Sequence, residues 1–261
     1  MKPPSWSERA VFYHIHPLGL CGAPEHNDFR SEPESRLEKI HGWIGHMVSM
    51  GIDACYLGPL FESGSHGYDV ADYYRVDRRL GTWDTAKALI EDLHRNGIRV
   101  VLDGVFHHVG RNHHAFRDLQ TRGQASPYTE WFAGLDFSRR SPAGDPFWYE
   151  GWHGHYDLAK LNLGSRAVRD HLFGAVEAWI DDLGIDGLRL DAADSIDFDF
   201  LRELGALCRS KREDFWLLGE VIRGDYRRWT DEAELDSVTN YECYEGWHGH
   251  YDLAKLNLGS R

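Results

Sequence analysis

A chain of 261 residues can bury a sizeable core, as one α/β barrel domain or as two smaller domains. Its composition, 42% hydrophobic and 27% charged, is that of an ordinary globular protein, and no apolar run approaches the roughly 18 residues that cross a bilayer, so no membrane partner is expected. A formal net charge of −13 argues against nucleic acid or an anionic membrane and suits a neutral or cationic ligand.

The N-terminal stretch MKPPSWSERAVFYHIHP has one early Lys and no apolar core of signal-peptide length, which predicts a cytoplasmic location. A first strand is predicted at about 11–16. Next comes an amphipathic helix with Leu37, Ile40, Ile44, Met47 and Val48 on its apolar face, opened by a Ser35–Glu38 capping box. A strand at about 54–59 follows, then a helix begun by Thr82 and carrying Ala86, Leu89, Ile90 and Leu93, then a strand at about 100–105. Some 60 residues rich in Gly, Pro, His and aromatics intervene, too many for a simple crossover, and predict a small inserted subdomain at about 108–163 over the mouth of a barrel. The pattern resumes with a helix from Ser165 bearing Val168, Leu172, Val176, Trp179, Ile180 and Leu183, and with strands at about 186–193, 215–221 and 237–241.

Three of these helices end in Gly-Ile and pass straight into a strand, at Gly51-Ile52, Gly97-Ile98 and Gly184-Ile185. Glycine supplies the left-handed cap and the isoleucine packs back on the last turn. The strands are almost continuously apolar, the mark of a parallel sheet covered on both faces. The expected fold is therefore α/β, a (β/α)8 TIM barrel of which about six strands are present. Cys21, Cys55, Cys208 and Cys243 lack metal-binding spacing and are too few for a disulfide scaffold, so reduced thiols are expected, with Cys55 and Cys208 as small buried hydrophobes.

Two acids each end a short apolar run that reads as a buried parallel strand: Asp191 in GLRLDAAD and Glu220 in FWLLGEV. In a barrel of alternating strands and helices the C-terminal strand ends carry the active site, so both face one pocket. Cleavage of a glycosidic bond uses such a pair, one carboxyl as acid and the other as nucleophile or base. Arg189 lies two residues before Asp191 and so on the same side of its strand, where a guanidinium would hold Asp191 ionised.

Taken together, SHGYDVADYYRVDRRLGT (65–82), LDGVFHHVG (102–110), LAKLNL (158–163), GIDGLRLDAAD (184–194) and LLGEV (217–221) resemble family 13 of the glycoside hydrolases, the α-amylase family, on its cyclomaltodextrinase and neopullulanase-like side. The segments stand in the family's order, and the resemblance runs to Cys243. It implies a retaining hydrolase of α-1,4-glucosidic bonds in maltodextrins, cyclodextrins or starch-derived oligosaccharides, with an α-glucan oligosaccharide as its partner. By the same resemblance Asp191 is the nucleophile and Glu220 the acid. His66 and Tyr68 line the subsite of the transferred sugar, with the Tyr68 ring stacked on it; Asp103 steadies the pocket and His108 donates to a sugar hydroxyl. Trp131, Phe132, Phe147, Trp148 and Trp152 offer ring faces for sugar, although more of them are expected in the insert's own core.

Two departures bear on this reading. His107 stands where many relatives have a calcium-binding Asn, and imidazole is a poor ligand for that ion, so no cofactor or calcium is expected. The pairs His107-His108 and His113-His114, among 16 histidines, lack a complete zinc ligand set, so no metal is expected there either. Secondly, residues 149–166 recur unchanged as 244–261, which is read as an artefact of sequence assembly. The expected division is thus a partial catalytic barrel over 1–243 and a duplicated tail. The 41 residues after Glu220 are too few for strands seven and eight, and the family's third carboxylate has no counterpart. A chain of this length is expected to expose strand edges and to be weakly active or inactive. A non-catalytic, amylase-like binding or scaffold domain is the alternative.

Overall fold

The computed structural model describes residues 4–242; Cys243 and the second copy of the repeat lie outside them. In chain order, β1 (Phe12–Ile15) leads through the short α1 (Pro17–Leu20) and a long loop to α2 (Glu38–Ser49) and β2 (Ala54–Leu57). A hairpin of β3 (Phe61–Ser63) and β4 (Val70–Val76) precedes α3 (Trp83–Arg95) and β5 (Arg99–Gly104). Then come β6 (His108–Gly110), α4 (His114–Arg122), β7 (Gly151–Trp152), β8 (His155–Lys160) and α5 (Arg166–Ala178). The chain continues through β9 (Gly187–Leu190), α6 (Phe198–Lys211), β10 (Trp216–Gly219), α7 (Arg227–Asp231) and β11 (Ser237–Val238).

Six strands form one sheet in the order β1-β2-β5-β9-β10-β11, every neighbouring pair parallel, and they coincide with the six predicted strands. The sheet curls. Phe12 opens β1 and Trp216 opens β10, four places along the sheet, yet their rings stack with centroids 4.8 Å apart. Trp6 packs on Trp216 at 5.9 Å and donates its indole N–H to the Asp214 carbonyl, completing an aromatic plug at the N-terminal end of the strands. Among the described residues β1 and β11 pair on one side only, so the architecture is an open, incomplete barrel. Val11 before β1, and Trp43 and Met50 on and just after α2, are exposed apolar groups. No helix among the described residues is long and apolar enough to cross a membrane.

The Gly-Ile junctions form as expected. Gly51, Gly97 and Gly184 take φ of +70°, +76° and +75°, and the following amides of Ile52, Ile98 and Ile185 return to the carbonyls of Met47, Leu93 and Trp179. Helix α2, the first predicted from the sequence, departs from expectation at both ends. No Ser35–Glu38 capping box forms, because Leu37 is the N-cap residue and the opening turn is held by backbone: the Leu37 amide donates to the Leu80 carbonyl at 3.0 Å. Val48, assigned to the apolar face, is exposed, while Leu37, Ile40, Ile44 and Met47 are buried. Ser165 is the N-cap residue of α5 but its hydroxyl caps nothing. At Thr82 the cap is real: its hydroxyl accepts from the Thr85 amide, and the Thr85 hydroxyl accepts from the Thr82 amide at 2.7 Å.

Between β5 and α5 the chain builds a separate antiparallel sheet, ordered β6-β8-β7, with α4 against it. Phe116, Phe132, Phe147 and Tyr149 are buried together there, their rings meeting edge to face. Trp131 is also buried, so these aromatics are core; Trp152 is left beside the strand ends of the main sheet. Trp179 fastens the β3–β4 hairpin to the end of α5: it is fully buried, stacks on Phe61 at 4.1 Å, and donates its indole N–H to the Tyr73 carbonyl at 2.9 Å.

Thr82→Ala removes the reciprocal cap of α3 and is expected to cost about 1 kcal/mol of stability, read as a lower midpoint with an unchanged slope in urea titration.

Candidate active site

Strand register assembles the site. Asp103 on β5 and Arg189 on β9 are direct partners, and one residue further Gly104, Leu190 and Gly219 align across three strands. Asp191 and Glu220 each follow that last row and emerge side by side at the C-terminal end. Their backbones are tied as well, Asp191 N–H to the Gly104 carbonyl at 3.0 Å and Glu220 N–H to the Leu190 carbonyl at 2.9 Å. Gly219 is closely packed: a Cβ there would lie 2.6 Å from Leu235 Cδ1 and 3.1 Å from Ala193 Cβ, so a larger residue would have to displace the Leu235 side chain. Ala192, just beyond Asp191, takes the left-handed conformation (φ 48°, ψ 39°) and donates its amide to Glu220 Oε2 at 3.0 Å.

One guanidinium holds three carboxylates. Arg189 Nη1 bonds Asp103 Oδ1 at 2.8 Å and Asp191 Oδ1 at 2.9 Å, while Nη2 meets Glu220 Oε2 at 2.9 Å. Tyr56 donates its hydroxyl to Asp103 Oδ2 at 2.5 Å, and the Tyr68 hydroxyl supports the same carboxylate. Asp191 was expected to be held ionised by Arg189. The contact exists, but burial and the neighbouring Asp103 outweigh it, with Glu220 adding to them, and push the Asp191 carboxyl up to about 7. Three carboxylates around a single cation cannot all shed their protons cheaply in a buried setting, so the cluster retains a proton near neutrality.

Above these groups lies a cleft of about 430 Å³ lined by His66, Tyr68, His108, Trp152, Arg189, Asp191 and Glu220, with His153, His155, Asp157 and Ile222 at its rim. Asp103 is buried beneath it. All seven residues singled out from sequence, Asp191, Glu220, His66, Tyr68, Asp103, His108 and Arg189, therefore meet at one place. Burial, with His107 and His66 nearby, pushes His108 down to about 3, so its ring is neutral. Its Nε2 lies 4.0 Å from Asp191 Oδ2 and has no hydrogen-bond partner; the Trp152 indole nitrogen is unpartnered too. Two buried polar atoms at the wall of a cleft, both unsatisfied, are groups that a hydroxyl-rich ligand would pair.

The sequence matches the α-amylase catalytic domain model over residues 37–254. The chain belongs to the α-amylase family. It is 32% identical to a cyclomaltodextrinase from Bacillus sp. over 92% of its length and 45% of that protein's, and 32% identical to neopullulanase 2 of Thermoactinomyces vulgaris over 91% and 43%. Among solved structures it is similar to the cyclic α-maltosyl-(1→6)-maltose hydrolase from Arthrobacter globiformis, in complex with that sugar, with a TM-score of 0.82 and 32% identity over 94% of this chain and 58% of that one. The chain spans about half the length of the curated relatives it matches.

His107 stands where the resemblance implied a calcium-binding Asn in many relatives. His107 is buried, its Nδ1 sits 3.4 Å from His108 Nδ1, and burial together with the Lys160 ammonium pushes it down to about 4. The neutral ring is a nitrogen donor, and the Glu150 carboxylate nearby acts against the lowering. Four contributors escaped the sequence reading. Tyr56 and His14, whose rings stack at 4.2 Å on β2 and β1, brace Asp103 from the side; Tyr241 donates to Glu220 Oε1 at 2.9 Å; and the Ala192 amide holds Glu220 from the other oxygen. The parity of residues 56, 101 and 103 across β2 and β5 was the available signal for Tyr56. For Tyr241 the sequence offered none.

The folded-state value of Asp191 lies above its ordinary 3.8, so between 3.8 and about 7 the native state holds a proton that the unfolded chain has lost. Stability carried by this group is thus full at low pH and falls as pH rises through that window. Asp191→Asn is expected to remove the fall and to gain on the parent by about 1–3 kcal/mol at neutral pH, checked by urea titrations at several pH values.

Proposed function

We propose that this site hydrolyses α-1,4-glucosidic bonds of maltodextrins, cyclodextrins or related starch-derived oligosaccharides with retention of configuration. The observation that carries the reading is the Arg189 guanidinium, which joins Asp191 and Glu220 at the floor of the cleft. Two carboxyls tied to the two arms of one guanidinium stand close, which suits direct attack better than the wide gap of about 6.5–9.5 Å that an inverting enzyme leaves for water. The names of the relatives, cyclomaltodextrinase, neopullulanase and a cyclic maltosyl-maltose hydrolase, support the α-glucan substrate class.

In this reading the ionised form of Asp191 reacts: Oδ1 stays on Arg189, and Oδ2, turned toward His108, attacks the anomeric carbon. Glu220 gives its proton to the departing glycosidic oxygen as the C1–O bond breaks, leaving a glycosyl ester on Asp191. Water then enters, Glu220 takes its proton, the new C1–O bond forms and the ester bond breaks, restoring Asp191. His108 Nε2 and the Trp152 indole N–H pair with sugar hydroxyls, and the Trp152 ring supplies an apolar face for the sugar. Three buried cysteines, Cys21, Cys55 and Cys208, none of them in a disulfide, support a reducing, cytoplasmic setting.

Activity is to be measured on maltotriose, p-nitrophenyl maltoside and cyclodextrin, with this chain and with a longer chain that extends it. An α-configured first product in NMR supports the mechanism; a β-configured one defeats it. Glu220→Gln is expected to lose about 10²–10⁴-fold in kcat on natural sugars. Sugar binding without turnover in both chains points instead to the binding or scaffold role.

Trp152→Ala is expected to raise KM more than it lowers kcat, by about tenfold, since one apolar contact is lost in ground and transition state alike.

A further inference from the structure

Outside the cleft, three histidines converge between α4 and α5. His113 and His114 open α4 and His171 lies midway along α5, and one nitrogen from each falls within 4.8 Å of the others. We propose that His113, His114 and His171 form a zinc site, completed by water or by the Asp72 carboxylate, which pins the first helix of the β5–α5 connection to barrel helix α5.

The chemistry of the cluster carries this assignment. His113 is fully buried and its Nε2 has no partner; His171 Nε2 is buried and unpartnered too. Two orphaned imidazole nitrogens beside each other are costly unless something bridges them, and a borderline cation with a preference for imidazole does so. The rings of Tyr73 and Trp131 flank the cluster, at 6.0 Å from His113 and 5.2 Å from His171, giving an apolar shell. His114 is exposed and provides the entry path. Burial lowers the proton affinity of all three rings, most for His113, and His171 is pushed down to about 4, so neutral ligands stand ready near pH 7. Asp72 acts in the opposite direction on both His114 and His171, so one carboxylate is felt by two of the three rings.

Binding requires two adjustments. Tetrahedral zinc with bonds of about 2.0–2.1 Å brings its nitrogens to about 3.3 Å, so the rings must close inward, a movement that the exposed His114 supplies most easily. Coordination through His113 Nε2 also moves its proton to Nδ1 and gives up the weak 3.4 Å cap that Nδ1 accepts from the Ala115 amide.

The test uses the untagged 261-residue chain, stripped with chelator, incubated with zinc or cobalt(II) and desalted. About one metal per chain by mass spectrometry, the intense visible band of tetrahedral cobalt and a higher melting temperature with zinc are expected. His114→Ala, an exposed substitution, should keep the far-ultraviolet dichroism and lose all three signals; His171→Gln should lose them as well, and His107→Ala should keep them. Failure of the parent chain to retain metal overturns the site. So does retention by both His114→Ala and His171→Gln, which would place the metal on other histidines.

Discussion

The buried pairing of Asp103 with Arg189 across β5 and β9 is the contact on which the site rests. It is a register partnership first and an ion pair second. A slip of one residue between those strands would turn the guanidinium away from the cleft and leave three carboxylates with no cation. Because the strands are parallel and covered on both faces, their apolar runs leave little tolerance for such a slip. The charge cluster is costly to bury, and hydrophobic packing around Leu102, Leu188, Leu190 and Leu217, all without solvent exposure, must offset it.

That cost is of the kind expected where chemistry is done. Asp191 is less stable ionised than an ordinary carboxylate, Ala192 sits in a left-handed conformation, and His108 and Trp152 leave polar atoms unpaired. Each feature is unfavourable to the resting fold and favourable to something that would enter the cleft. Asp186 shows the contrast at the other end of β9. It is buried as deeply, but His94, Arg99, Arg212 and the Val100 amide surround it, and its proton affinity is held down by these donors against burial. One strand thus carries an acid at each end, the lower one satisfied and the upper one poised.

Much of this was legible in the residues. The six strands, the Gly-Ile junctions and the acids following GLRL and WLLG all appear in the sequence because each depends on local pattern: apolar continuity, a left-handed glycine, a charge placed just past a strand. What escaped depends on distant partners. Helix α2 takes its opening hydrogen bond from Leu80, some forty residues on, so the Ser35–Glu38 signature had no role to fill. Tyr241 reaches Glu220 from beyond β11, and the three-histidine cluster needs α5 to bring His171 to His113. The ionisation of Asp191 misled for a related reason: Arg189 is visible two residues away in sequence, whereas Asp103, the opposing charge, arrives from another strand.

The aromatic plug of Trp6, Phe12 and Trp216 has a mechanical consequence. In a closed barrel the hydrogen-bonded ring holds the first strand at its distance from the fifth; here stacked rings span that distance directly. The floor of the molecule therefore behaves like a clasp, with side-chain contact fixing the curvature that backbone pairing fixes elsewhere. Curvature set at the N-terminal end is carried along the strands to their tips, so how far β1 stands from β10 at the mouth depends on ring faces a strand's length below.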